Sequence, residues 1–348
     1  SSSSSELAYG ATAMDKTTAS QHPLHEPALF REVLASWFQD VAKVYPWRET
    51  QDPWAILVSE IMLQQTTVAS VIANRRFERF LEEFPNLETI STAPEEQLLK
   101  AWEGLGYYNR VRNLKRAASA ILSLHNGVFP QDATTLESLP GIGKYTAGAV
   151  SSFAFNQPAP IVDANIARVI SRLFDYSEPV DSTAGGKKIW EWAGALLDKN
   201  NPRKFNSAIM ELGQTHCSPK APNCAVCPVA NFCQCSDPLS LPVKKARRET
   251  VQVEEHAILY LKKGSLLLAK ESGGRRKGFW RLPLRSAEKV SHLEAESTHR
   301  YAITHHRVTL FLYRSETQAI ADEEFIPITQ LESLPIASPI RRAIEASL

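Results

Sequence analysis

The 348-residue sequence has no apolar run of the roughly 18 residues that a membrane span requires. It opens with no charged-then-apolar secretory leader and carries no conspicuous internal repeat. Charge of one sign is also missing: 39 Lys and Arg face 38 Asp and Glu, a net charge of only +1. Duplex nucleic-acid binders are often more basic, so overall charge does not point to nucleic acid, and only its local distribution can. Cysteine is absent from the first 216 residues, and all five cysteines fall between Cys217 and Cys235. A disulfide framework spreads its cysteines along the chain, so this clustering indicates a metal site in a reducing compartment.

What is present suits a globular protein of one large domain and a smaller one. The polar stretch 1–21, beginning Ser1 to Ser5, reads as a tag or disordered leader. Phe30, Val33, Leu34, Trp37, Phe38 and Val41 recur at helical spacing. Further helices are predicted over 53–71, 95–102, 111–124, 144–155, 165–173, 185–197 and 205–213, so residues 22–236 form a mainly α region. Residues 237–251, with Pro238, Pro242, Lys244, Lys245, Arg247 and Arg248, read as a basic extended linker. Strand-like segments at 256–261, 266–269 and 308–313 predict a small α+β domain over 252–348. Lys100, Arg110, Arg112, Lys115 and Arg116, opposed by Glu103, make a local basic patch beside Tyr107 and Tyr108.

Four motifs carry chemistry. The first is Cys217-x6-Cys224-x2-Cys227-x5-Cys233, whose thiolates can hold a four-iron, four-sulfur cluster or a zinc ion, with Cys235 left over. The second is Leu139-Pro140-Gly141-Ile142-Gly143, a tight interhelix turn or a helix-hairpin-helix. In the latter the glycines bring backbone close to a phosphate, and the next helix offers its free N–H groups. The third is Glu60, inside the apolar run Ala55 to Leu63. Desolvation there raises a carboxyl pKa, which suits a general acid, although a polar stripe on the helix would accommodate the same residue. The fourth is Asp163, either a plain N-cap or an anion held at a helix N-terminus. A neutral Glu facing an ionised Asp is the pairing that glycosidic cleavage uses.

Tyr45-Pro46-Trp47-Arg48, Ser59 to Thr66, Gly104 to Tyr108, Leu139 to Gly143, Asp163-Ala164-Asn165 and the four cysteines together resemble the MutY family of adenine DNA glycosylases. The resemblance implies a helix-hairpin-helix glycosylase fold with a four-iron, four-sulfur cluster on Cys217, Cys224, Cys227 and Cys233. It also allows a monovalent or calcium ion at the hairpin. The substrate implied is double-stranded DNA with adenine opposite 8-oxoguanine or guanine, bound by a monomer inside the cell, in the cytoplasm with the nucleoid for a bacterial source. Glu60 would then protonate the flipped adenine, and Asp163 would stabilise the sugar cation with help from Tyr145 and Asn165. Trp47, Arg48 and Ser207 would line the base pocket. Gln65, Thr66 and Tyr107 would wedge the duplex, and Leu139, Gly141 and Gly143 would hold its backbone.

Some positions depart from the family pattern. Ser207 stands where Gln or Glu is usual, and Ala164 replaces a Gly. The C-terminal domain resembles a Nudix-like domain without the glutamate-rich run that hydrolysis needs. Its Ile303-Thr304-His305 aligns with a lesion-reading Phe-Ser-His loop, which makes Thr304 and His305 candidate lesion contacts. The relative endonuclease III is similar in fold but has a catalytic Lys at the place of Tyr145. Lys144 is one residue earlier, about 100° around the helix, so glycosylase action without strand cutting is predicted. The alternatives are a bifunctional lyase on oxidised pyrimidines, a non-catalytic DNA-binding module and a zinc-bound interaction protein.

Overall fold

The computed structural model describes residues 22–64, 66–246 and 248–348; the leader at 1–21, Gln65 and Arg247 lie outside the described residues. A helical body comes first: α1 (Pro27–Val41), α2 (Pro53–Met62), α3 (Val68–Ala73), α4 (Arg76–Glu83), α5 (Leu87–Ser91), α6 (Glu95–Ala101), α7 (Asn109–Leu124), α8 (Ala133–Glu137), α9 (Lys144–Phe155), α10 (Ala164–Leu173), α11 (Thr183–Leu196) and α12 (Pro202–Thr215). A smaller unit follows with β1 (Val251–Leu259), β2 (Leu261–Lys262), β3 (Ser265–Lys270), β4 (Trp280–Arg281), β5 (Leu284–Arg285), β6 (Ser297–Ile303), β7 (His306–Arg314), β8 (Glu323–Pro327) and α13 (Ser338–Ser347). The mainly helical region followed by a small α+β unit is the fold class that the sequence predicts. Among the described residues no helix is long and apolar enough to cross a membrane.

Helix α2 lies at the centre of the body. Asp52 caps it by accepting from the Trp54 amide, Pro53 fits its first turn, and nine of its ten residues are buried. The predicted single helix over 53–71 is two helices. The chain breaks after Met62, and Thr67 restarts it by capping α3 through the Ser70 amide. Arg110 holds the break. Its guanidinium donates to the carbonyls of Ile61 at 2.8 Å and of Gln64 on one side, and of Leu105 at 3.0 Å and Gly106 at 3.1 Å on the other. One cation therefore ties the loop after α2 to the glycine loop 104–106.

The basic patch read from sequence is largely consumed by such contacts. Arg112 pairs with Glu95 at 2.6 Å, Lys100 with Glu103 at 3.1 Å, and Lys115 donates to the Ala93 carbonyl. Burial lowers the Arg110 pKa to about 10, still charged at neutral pH. The start of the linker is also tethered rather than freely extended. Arg172 donates to the carbonyls of Pro238 and Leu241, and the Lys245 amide donates to Asp181.

The second unit holds two sheets, ordered β5-β1-β7-β6 and β2-β3-β4 with β8 on β3. Strands β1 and β7 run parallel, while β6 and β7 form a hairpin whose tip is Thr304 and His305. Thr304 sits there at φ 53°, a turn conformation that costs a β-branched residue energy. The two units meet through Phe279, which is buried in the helical core cluster with its ring centroid 3.9 Å from that of Tyr108. Beside it, Glu103 pairs with Arg341 at 2.8 Å, and its carboxylate accepts from the Ile336 amide. Phe→Ala in a packed site costs about 3–5 kcal/mol. Phe279→Ala is expected to undock the second unit before the helical body unfolds. Limited proteolysis will then cut within 237–251 faster than in the parent, and an unchanged cleavage rate would show that Phe279 does not hold the units together.

Candidate active site

Glu60 is 3% exposed and projects from α2. Tyr145, at the start of α9, donates its hydroxyl proton to Glu60 Oε2 at 2.8 Å. Arg48 Nη1 lies 3.5 Å from Oε1, and the guanidinium packs over the Phe153 ring at 3.9 Å. Desolvation raises the Glu60 pKa, against the opposing pull of Arg48 and Tyr145, and the charge of Asp163 raises it further. Tyr145 is held well above its usual range by the same burial and by Glu60. The site thus favours a proton on a carboxyl group, with one hydroxyl and one guanidinium fixing its orientation.

Asp163 caps α10, its Oδ1 accepting from the Ile166 amide at 2.7 Å. Asn165 donates to Oδ2 at 3.5 Å and accepts from Arg168 at 3.1 Å. The plain N-cap reading holds, and the same side chain lies near enough to Glu60 to raise its pKa electrostatically. Glu60, Tyr145, Asp163 and Asn165 come together from three helices, and Gln64, in the turn after α2, donates to Thr146 at 3.2 Å.

A cavity of about 670 Å³ opens beside this group. Trp47, Arg48 and Ser207 all line it, together with Tyr45, Met210 and Glu211. Trp47 is buried behind Tyr45, stacked on it at 5.2 Å and 4°, so Tyr45 is the more exposed of the two rings in the wall. Met210 joins cavity to carboxyl, its sulfur lying 3.6 Å from Arg48 Nη2 and 3.9 Å from the Tyr145 hydroxyl. Sequence reasoning assigned no role to Tyr45, Met210 or Glu211. The helical spacing Ser207, Met210, Glu211 was the available signal, since residues three and four apart share a face.

The remaining candidates lie apart from the acid group. Tyr107 is 46% exposed at φ 49°, and Thr66 is half-buried with its hydroxyl unpartnered among the described residues. Gly141 and Gly143 are exposed in the turn between α8 and α9, whereas Leu139 is buried and can offer a ligand only its backbone. Gly141 has φ 71°, and a Cβ there would run into Asn113. Among the described residues no side chain caps α9, leaving its first amides for an anion. Lys144 is turned onto the Trp190 ring at 4.3 Å. In the second unit Thr304 is exposed and His305 half-buried.

The cysteine loop folds as two 3₁₀ turns, at Cys224–Val226 and Ala230–Phe232. Cys217, Cys224 and Cys227 all lie near enough to raise the Cys233 thiol pKa electrostatically, behind burial as the main cause. Arg172 Nη1 lies 3.4 Å from Cys217 Sγ, a cation suited to a thiolate. Among the described residues no three His, Cys, Asp or Glu side chains converge as ligands of a single metal ion. A polynuclear cluster sits between its thiolates and keeps them farther apart than one ion does, so four neighbouring thiols with a guanidinium fit a cluster by donor chemistry. Cys235 is pushed up to about 11, mainly by burial, and is a poor thiolate ligand.

Residues 58–193 match the HhH-GPD superfamily base excision DNA repair proteins. The chain is 38% identical to the adenine DNA glycosylase of Homo sapiens over 218 residues, covering 60% of this chain and 40% of the human protein. It is 36% identical to that of Buchnera aphidicola subsp. Baizongia pistaciae and 37% to that of Mycobacterium tuberculosis, covering 58% and 64% of those proteins. The chain thus spans between two-fifths and two-thirds of the length of these curated relatives. Among solved structures, a thermostable thymine-DNA glycosylase is 31% identical, with a TM-score of 0.54 over 60% of this chain and 95% of that one. A trapped endonuclease III–DNA covalent intermediate is 26% identical, with a TM-score of 0.50 over 60% of this chain and 93% of that one. The chain therefore belongs to the HhH-GPD superfamily of base excision DNA repair proteins, and the curated relatives it resembles here are adenine DNA glycosylases.

Proposed function

We propose that this protein hydrolyses the N-glycosidic bond of adenine mispaired with 8-oxoguanine or guanine in double-stranded DNA. The carrying observation is Glu60, a sealed carboxyl that favours its proton and lies between Arg48, which lines the 670 Å³ cavity, and Tyr145. A base in a duplex is out of reach, so it must be extruded into that cavity. There Glu60 gives its proton to adenine N7 and makes the base a leaving group. Asp163, with its charge near and Asn165 beside it, stabilises the positive sugar. Tyr145 orients Glu60.

Other parts of the chain have roles that follow from this chemistry. Gln65, Thr66 and Tyr107 would fill the gap left by the extruded base, with Arg110 setting their two loops in register. Gly141, Gly143 and the first amides of α9 would grip a phosphate, with a monovalent or calcium ion on the turn. A four-iron, four-sulfur cluster on Cys217, Cys224, Cys227 and Cys233 would brace that loop, with Lys220 exposed for a phosphate. The second unit, assigned to residues 252–348, would read the opposite base as a Nudix-like module through Thr304 and His305. Lys144 contacts the Trp190 ring, and Tyr145 rather than a lysine donates to Glu60, which supports action without lyase cleavage. The setting is intracellular, wherever genomic DNA lies.

Single-turnover reactions on two duplexes test this reading, one with adenine opposite 8-oxoguanine and one with thymine glycol. Adenine release that breaks the strand only after alkali is expected, and Glu60→Gln should lower its rate by at least about 100-fold. Direct cutting of the thymine-glycol duplex would assign the protein to the lyase side of the superfamily. Replacing Thr304 and His305 together by Ala should reduce the preference for 8-oxoguanine over guanine opposite the adenine, measured as a ratio of rates. An unchanged ratio would remove these two residues from lesion reading.

A further inference from the structure

Glu211 is a buried acid that the proposed chemistry does not use. It is 5% exposed, on the face of α12 that carries Ser207 one turn earlier. Its Oε1 is sealed from solvent and, among the described residues, accepts no hydrogen bond. Burial raises its pKa, opposed by the nearby charges of Lys43 and His216. An unsatisfied buried carboxyl oxygen costs roughly 1–3 kcal/mol or more, so its persistence calls for a partner supplied from elsewhere. Glu211 lines the same 670 Å³ cavity as Trp47, Arg48 and Ser207.

Resting on the function proposed above, we infer that Glu211 is a specificity-determining residue that accepts a hydrogen bond from the exocyclic amino group of the extruded base. Ser207 is too short to cross a cavity of this size by itself. Glu211 is two bonds longer, and its two equivalent oxygens let either one face the base. An amino group satisfies the orphaned acceptor, whereas a keto oxygen in the same place sets acceptor against acceptor. Discrimination therefore arises from a buried group that only the correct base can satisfy. Glu60 acts on the ring nitrogen and the departing bond, and Glu211 on the substituent, so the two acids divide chemistry from selection.

The test crosses a substrate deletion with a protein deletion. Two duplexes are compared, one with adenine and one with unsubstituted purine, which lacks the amino group, each opposite 8-oxoguanine. Half-saturation and single-turnover rate are measured separately for wild type, Glu211→Leu and Glu211→Gln. Leu keeps most of the volume without an acceptor, and Gln keeps an acceptor oxygen. In Glu211→Leu, half-saturation for the adenine duplex is expected to weaken about 10- to 100-fold, while the purine duplex shifts by no more than about 2-fold. Glu211→Gln should restore most of the difference. Melting temperature should not fall in Glu211→Leu, because the carboxyl has no partner to lose at Oε1. Equal losses on both duplexes, or no loss on adenine, would overturn the inference while wild type still releases adenine. Failure of wild type to release adenine from either duplex would overturn the proposed function and this inference with it.

Discussion

Keeping a carboxyl group out of water is the constraint on which the site depends. Glu60 sits on a helix buried nearly all round, and that helix is central because Trp54, Ile56, Leu57, Val58 and Ile61 pack the body's core. Desolvation there opposes ionisation more strongly than Arg48 and Tyr145 favour it. The direction of that balance matters for stability as well. A glutamate whose folded pKa is raised contributes stability below its unfolded pKa and loses that contribution as pH rises through its folded pKa. The site holds its reactive proton at the expense of some stability in neutral solution.

The rest of the architecture serves that proton. Helix α9 delivers Tyr145 to Glu60 and has no side-chain cap on the amides of its first turn. Helix α10 presents Asp163 as its own cap, and α12 presents Ser207, Met210 and Glu211 to the cavity. Asn206 fixes α12 from behind by donating to Ser152 at 3.0 Å and to the Ala159 carbonyl at 2.9 Å. Phe279 and Glu103 then hold the second unit against the same body, close to the loop that Arg110 pins.

Much of this was legible in the sequence where local chemistry is strong. The limits of α9 match those predicted, because Gly143 begins it and Asn156, at φ 52°, ends it. Glu60 stood out as a charge in an apolar run. The break after Met62 was not legible, because its cause is a distant guanidinium donating to its carbonyls. The same holds for the basic patch: whether a cation faces solvent or a set of carbonyls depends on the fold, not on neighbours in sequence. Short helices such as α5, with Asn86 and Thr89 forming a capping box, carry a readable signal at their N-terminus. Glu211 was hidden because its distinguishing property, an acceptor without a donor, exists only once α12 is packed.

The most direct test of the account is the pH dependence of single-turnover adenine release. A general acid must hold its proton, so the rate should fall as pH rises through the pKa of Glu60. That descending limb should lie clearly above the ordinary glutamate value of 4.5. A descending limb at the ordinary value would mean that burial does not keep the proton on Glu60, and the account would lose its central claim.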